Sequence, residues 1–223
     1  MIRRAALTIC RRLFAIALAV FLLIVIWVGA YRWINPPTTW LIMTEQARLG
    51  AVRQNWVSLE AMSPDLPRAA MAAEDARFCD HWGFDLVEIE KALSAGASRG
   101  ASTISQQVAK NVFLWPERSW LRKGAEAGFT LLIEALWPKR RIIEIYLNVA
   151  EFGEGVFGAD AGAQANFGKA AADLTPRQAA RLVAVLPNPK NRTAQAQSKR
   201  GARILDGART LKATGRDGCL SAS

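Results

Sequence analysis

Glu74 and Asp75 stand side by side in the run RAAMAAEDARF, followed by Phe78, His81, Gly83 and Asp85. Neighbouring positions on a helix point about 100° apart, so one carboxylate can face a cleft while the other makes a structural bond. A glutamate in a partly apolar cleft keeps its proton to higher pH and suits proton transfer near neutrality. The plainer reading is a solvated helix end, and the pair taken alone favours it. His81 is the one histidine in the chain. A hydrogen-bonded core position is therefore expected for it rather than a metal cage.

A second group is Gly100-Ala101-Ser102-Thr103-Ile104-Ser105-Gln106-Gln107, then Lys110 and Asn111. Glycine and hydroxyls ahead of a helix let the backbone approach an anion and aim free N–H groups at it. Gln106 and Gln107 share a helix face with Lys110. The P-loop pattern is absent, and an ordinary capped helix with a solvated polar face fits almost as well. In a third group, Arg118, Ser119, Arg122 and Lys123 precede Glu126 at helical spacing. Nearby cations favour the ionised acid, so Glu126 is a poor proton donor. It is expected to orient the cations or to help hold a divalent ion. The alternative is a surface ion pair worth about 0.3–0.5 kcal/mol.

These groups need helices to position them, and the body reads as one helix after another. Pro67 opens one that runs up to Glu74 and Asp75. Ser102 or Thr103 caps another, with Ile104, Val108 and Val112 as its apolar stripe. A third runs from about Ser119 to Trp137, stopped by Pro138, with Leu121, Ala125, Phe129, Leu132, Ile133 and Leu136 as its buried face. A fourth covers about Lys139 to Asn148. Glu151 to Gly168 holds five glycines and two short helical turns. Thr175-Pro176-Arg177-Gln178 is a capping-box start for one more helix. No run alternates as a strand would, so a mainly α body is expected. The greasy segment Val112 to Pro116 with Trp120 reads equally as core or as a dip into a bilayer.

The chain of 223 residues carries +10, and the excess sits at its ends. Residues 1–12 hold four arginines and no acid, and residues 190–223 hold eight basic and two acidic residues. With the middle neutral and no helix-turn-helix or zinc-finger spacing, a nucleic-acid partner is excluded. Leu13 to Ala30 is an uncharged, almost wholly apolar run. Extended by Tyr31 and Trp33, it has the length of a membrane-spanning helix. A cleaved signal peptide is the alternative, but no A-x-A site follows. The expected organisation is a basic tail over 1–12, an anchor over 13–33, a catalytic body over 34–212 and a frayed tail over 213–223. Cys10, Cys79 and Cys219 are odd in number and scattered, which argues against a framework disulfide. A small buried residue is expected at Cys79, with a nucleophile as the weaker alternative.

Together the blocks resemble the peptidoglycan glycosyltransferase family (family 51 glycosyltransferases). This family comprises the transglycosylase module of class A penicillin-binding proteins and the monofunctional biosynthetic transglycosylases. The matching residues are E-D-x-x-F-x-x-H-x-G at Glu74 to Gly83, G-A-S-T-I-S-Q-Q-x-x-K-N at Gly100 to Asn111, R-S-x-x-R-K-x-x-E at Arg118 to Glu126 and K-R-R-I-I-E-I-Y-L-N at Lys139 to Asn148. One anchor and no transpeptidase Ser-x-x-Lys domain point to the monofunctional branch. Three positions depart from the family pattern: a short Ser94–Arg99 segment, Cys79 between motif positions, and Gly-Ala where many relatives have Gly-Gly.

The resemblance implies a mainly α, lysozyme-like domain behind one transmembrane helix, polymerising lipid II into β-1,4-linked glycan strands with release of undecaprenyl pyrophosphate. Glu74 and Glu126 would be the catalytic acids, Glu74 as the base. Ser102, Gln106, Gln107, Lys110, Arg118, Arg122 and Lys123 would bind substrate. Asp75, Phe78, His81, Gly83 and Asn111 would be structural. No cofactor is required, although a divalent cation, Mg²⁺ or Mn²⁺, is compatible with Glu126. The implied partners are lipid II, the growing lipid-linked glycan and the bilayer, with cell division or elongation proteins beyond these. The implied location is the bacterial inner membrane, crossed once, with the N-terminus cytoplasmic by the positive-inside rule and the catalytic domain periplasmic. The rivals are a lytic hydrolase of lysozyme type using two carboxylates and an inactive membrane scaffold.

Overall fold

The computed structural model of the chain describes residues 2–96, 102–117 and 119–221, with side chains from residue 7 onward. Gly100, Ala101 and Arg118 lie outside the described residues. The chain forms two compact units, Met1–Asn35 and Pro36–Ser223. The first is helix α1 (Ile2–Ala30). Its stretch Leu7–Ala30, 24 residues, is long and apolar enough to cross a membrane. The helix starts well before Leu13 and runs through Arg11 and Arg12, because arginine is a good helix former and its long stem can snorkel.

The second unit opens with α2 (Trp40–Leu49) and α3 (Asp65–Glu74). Pro67 lies in the first turn of α3, where a missing N–H breaks no helical bond. The helix stops at Glu74, because Asp75 turns extended at φ −163°. α4 (Leu86–Ser94) is capped by Asp85, whose carboxylate accepts the Glu88 N–H. α5 (Ile104–Phe113) starts with a capping box between Thr103 and Gln106. α6 (Trp120–Leu136) is capped by Ser119, and α7 (Lys139–Val149) follows Pro138. α8 (Ala159–Phe167) ends in left-handed Gly168. α9 (Pro176–Val183) has the capping box expected at Thr175 and Gln178. α10 (Lys199–Ala213) closes the set, capped by Ser198.

Three short strands were not expected: β1 (Arg53–Gln54), β2 (Glu151–Gly153) and β3 (Val156–Phe157). They form one sheet in the order β1-β3-β2, with β1 parallel and β2 antiparallel to β3. Strands of two or three residues are too short to carry a readable alternation.

α7 lies at the centre. Ile142, Ile143, Ile145, Tyr146, Leu147 and Val149 are all buried. α5 packs against α6 and α7, while α3 packs against α7, α9 and α10. The stripe Ile104, Val108 and Val112 is buried as expected. α6 differs from expectation, because its buried residues are Glu126, Thr130, Ile133 and Glu134 while Leu121 is 77% exposed. The polar residues can go inside because each has partners. Arg122 and Lys123 meet Glu126, Ser105 and Lys139 meet Glu134, and the Thr130 hydroxyl donates to the Glu126 carbonyl. The greasy segment is divided. Val112 and Leu114 are buried and Phe113 stacks on Phe129 at 4.8 Å, but Trp120 is 92% exposed.

Among the described residues, which reach Ser221, the expected frayed tail is instead tied down, and Cys79 is not a lone buried thiol. Cys79 and Cys219 form a disulfide spanning 140 residues of sequence. Cys219 sits in a short 3-10 turn, Gly218–Leu220. Around it Asp217 meets Arg68 at 2.6 Å and Arg216 meets Asp80 at 2.7 Å. The odd cysteine is Cys10, free and exposed on α1. α10 lies close on α3 because position 207 is glycine; a Cβ there would sit 3.1 Å from Ala72 Cβ.

Candidate functional site

Glu74, the last residue of α3, lines a cleft of about 260 Å³ with Asp75, Arg77, Asp85, Glu88, Ser102 and Thr103. Its Oε2 accepts from Gln107 Nε2 at 3.2 Å, and its Oε1 accepts from the Arg200 guanidinium at 3.0 Å. Burial is the main force raising the Glu74 pKa above the ordinary carboxylate value. The Gln107 hydrogen bond and the Arg200 charge pull it partly back, and the Asp75 charge adds to the rise. The side chain retains 18% exposure, so substrate can reach it. Tyr146, fully buried nearby, is held firmly neutral by burial and by the Glu74 charge.

Asp75 serves the scaffold. One oxygen accepts the Ile104 N–H at 3.0 Å and the other meets His81 Nε2 at 2.8 Å. It thereby fixes the start of α5 against the end of α3. His81 is a hydrogen-bonded core histidine, its side chain 6% exposed, and its carbonyl accepts from Lys139. Lys139 also lies 4.5 Å over the ring of buried Phe78. Gly83 is needed where it stands: φ is +83°, a Cβ would meet Thr130 Cγ2 at 2.6 Å, and its carbonyl accepts from Thr103 Oγ1. The two adjacent carboxylates do part ways, but by helix termination rather than by helical phase.

A second pocket of about 340 Å³ is lined by Ser102, Gln106, Gln107, Lys110, Pro116, Arg122, Lys123 and Glu126. It shares Ser102 with the Glu74 cleft, and Gln107 joins the two through its bond to Glu74. Lys110 is exposed on α5. Arg122 meets Glu126 at 2.8 Å and Lys123 meets its other oxygen. Glu126, 4% exposed at its side chain, is therefore a counter-ion that sets the two cations in place. The Gln106 carbonyl oxygen is spent on the Thr103 N–H of the capping box, leaving its amide to the pocket. Asn111 is half-buried further along α5.

The sequence model of the transglycosylase family matches residues 42–209. The chain belongs to the transglycosylase family. It is 52% identical over 203 residues to a protein of Jannaschia sp. (strain CCS1), covering 89% of this chain and 85% of the relative. A protein of Rhodospirillum centenum is 54% identical over 186 residues, covering 81% and 80%. One of Caulobacter vibrioides is 50% identical over 180 residues, covering 77% and 79%. Each of the three is named biosynthetic peptidoglycan transglycosylase.

This transglycosylase is a glycosyltransferase with a mainly α, lysozyme-like domain. Sequence reasoning missed Arg200, which reaches Glu74 across 126 residues. The residue lies in the basic stretch after Lys190, and charge alone gave no sign of which arginine turns inward. It also left out Arg77 and Glu88 as walls of the Glu74 cleft.

A divalent ion at Glu126 does not fit this arrangement, since both its oxygens are already neutralised by Arg122 and Lys123. Among the described residues Asp75, His81 and Asp85 bring ligand atoms within 4.8 Å of one another. Yet Asp75 is committed to Ile104 and His81, and Asp85 to the Glu88 N–H and, at 3.6 Å, to Arg77.

Proposed function

We propose that this transglycosylase polymerises lipid II into β-1,4-linked glycan strands for the cell wall, releasing undecaprenyl pyrophosphate. The observation that carries the reading is a desolvated glutamate, gripped by Gln107 and Arg200, that opens across Ser102 onto a cationic pocket. Glu74 takes the proton from the 4-hydroxyl of the acceptor GlcNAc. That oxygen's electron pair forms the bond to C1 of the donor MurNAc as the bond from C1 to the diphosphate breaks. Negative charge builds on the leaving diphosphate, where preorganised cations stabilise it most effectively. Lys110, Arg122 and Lys123 supply that charge, with Arg118 beside them in sequence, and Glu126 positions them.

A lysozyme-type hydrolase expels a sugar hydroxyl and has no use for such a pocket. Its second carboxylate would need freedom that Glu126 and Asp85, both committed to cations, do not have.

In this reading α1 crosses the bacterial inner membrane once, with Arg3, Arg4, Arg11 and Arg12 keeping the N-terminus cytoplasmic and the second unit periplasmic. The Cys79–Cys219 bond suits that oxidising compartment. Exposed Trp120 and Leu121 supply an apolar edge for the outer leaflet, near the polyprenyl tails of the substrate. Incubating the purified full-length protein with lipid II, and separately with finished glycan, tests the reaction. Polymer from lipid II supports it, whereas cleavage of glycan without polymer refutes it in favour of a hydrolase.

A further inference from the structure

The two oxygens of Glu74 are held from two different cavities. Gln107, on Oε2, lines the pocket of Lys110, Arg122 and Lys123, while Arg200, on Oε1, lines another cavity of about 470 Å³. The polar wall of that cavity is Arg192, Thr193, Ser198, Arg200 and Arg203, and its apolar wall is the turn after α9. Three guanidiniums and two hydroxyls face it, and among the described residues its lining holds no carboxylate, Glu74 reaching only the Arg200 side chain. The Nε of Arg200 is buried without a hydrogen-bond partner among the described residues. Arg192 makes one long bond, 3.4 Å, to the Ala184 carbonyl, and Arg203 is exposed. α10 begins here at its Ser198 cap, adding the positive end of a helix dipole to the arginines.

Glu74 offsets the charge of Arg200 alone, while Arg192 and Arg203 meet no carboxylate among the described residues; like charges so gathered repel one another unless a further anion joins them, and the planar guanidinium fork suits an oxyanion best. The diphosphate that leaves already has cations on the Gln107 side of Glu74. An occupant on the Arg200 side therefore belongs to the saccharide whose atoms react at Glu74.

We propose that the Arg192–Arg200–Arg203 cavity is a second oxyanion subsite, which holds a carboxylate of the peptide carried by the saccharide substrate. The inference rests on the lipid II reading above. The diphosphate of the second lipid-linked substrate is the other source of the same chemistry, and the test separates the two. Occupancy would also hold Arg200 against Glu74, coupling substrate binding to the poise of the base.

The test compares full-length wild type with Arg192→Ala/Arg203→Ala, leaving Arg200 intact. Both proteins are assayed on lipid II and on lipid II whose peptide carboxylates are amidated. The variant should raise KM for lipid II about tenfold, the scale of lost charge-assisted contacts, with kcat held within about twofold. Amidation should raise the wild-type KM to the variant's level and leave the variant unaffected. A variant KM raised equally on both substrates, with wild type indifferent to amidation, would keep the oxyanion subsite but assign it the diphosphate. Arg192→Lys/Arg203→Lys, which keeps the charge, should recover most of the loss and so separates charge from fold. An unchanged KM in the alanine variant on lipid II, or a fall in kcat alone, would overturn the proposal. Failure of wild type itself to make polymer would instead strike the parent reading.

Discussion

Removing Arg200 should shift the pH at which the enzyme loses activity in acid. As the proposed base, Glu74 must be ionised to act, and Arg200 at 3.0 Å favours the ionised form against the burial that opposes it. Their charge centres lie about 4 Å apart, where two unit charges attract by about 4 kcal/mol at an effective dielectric near 20. Arg200 is 33% exposed, and water would refill its place, which reduces the net loss to about 1–2 kcal/mol. At about 1.4 kcal/mol per factor of ten, Arg200→Ala moves the Glu74 ionisation equilibrium about tenfold towards the protonated form, raising its pKa further. The sign follows directly: a higher pKa means the base is protonated at higher pH, so the acid limb of kcat/KM moves upward by about one pH unit. Stability moves with it. A carboxyl whose folded pKa lies above its unfolded pKa contributes stability at low pH and loses it as pH rises through the folded pKa. Arg200→Lys keeps the charge and should return most of the limb to its place. The assay is initial rate of lipid II polymerisation from acid to mildly alkaline pH. A rate lowered evenly at all pH values, with the acid limb unmoved, would refute the claim that Arg200 poises Glu74.

Two other perturbations separate fold from chemistry. Cys219→Ser should lower unfolding stability by about 2–4 kcal/mol, since the bond closes a long loop of the unfolded chain. Wild type unfolded in reductant should match the variant, and an unchanged denaturation midpoint would show that the disulfide adds nothing. Lys110→Ala should cut lipid II turnover by about 10²–10³ through lost stabilisation of the leaving diphosphate. Its melting temperature should barely move, as expected for an exposed α5 residue (within about 0.5 kcal/mol), and normal turnover would remove Lys110 from the leaving-group pocket.

What could be read from the sequence was local. The capping box at Thr175, a cap at Ser102 or Thr103, the stop at Pro138 and the stripe Ile104, Val108 and Val112 are each set within one or two turns of chain, and the structure shows them, with Thr103 as the cap. Glu74 was legible only through the family resemblance of the contiguous blocks, since the pair alone read as a solvated helix end. The misreadings came from contacts that close over long separations. Arg200 meets Glu74 across 126 residues and Cys79 meets Cys219 across 140. The small and basic residues after Asn191 gave no readable helix, yet Ile204, Ala208 and Leu211 bury one face of α10, which packs on α3 and α9. The α6 face was misassigned because Leu121 looked like core, whereas it is exposed. Only the partners on α5 and α7 reveal that Glu134 can be buried in its stead.

The central claim is that Glu74 removes the acceptor's proton, and Glu74→Gln tests it most directly, because the change keeps shape and abolishes basicity. The amide matches the carboxylate in size, and Gln107 and Arg200 stand beside it as hydrogen-bonding neighbours. Single-turnover polymerisation of lipid II by the purified variant, with its melting temperature taken on the same preparation, is the measurement. The predicted result is a rate lowered by about 10²–10⁴ in a protein that melts near wild type. A variant that polymerises at close to the wild-type rate would contradict it.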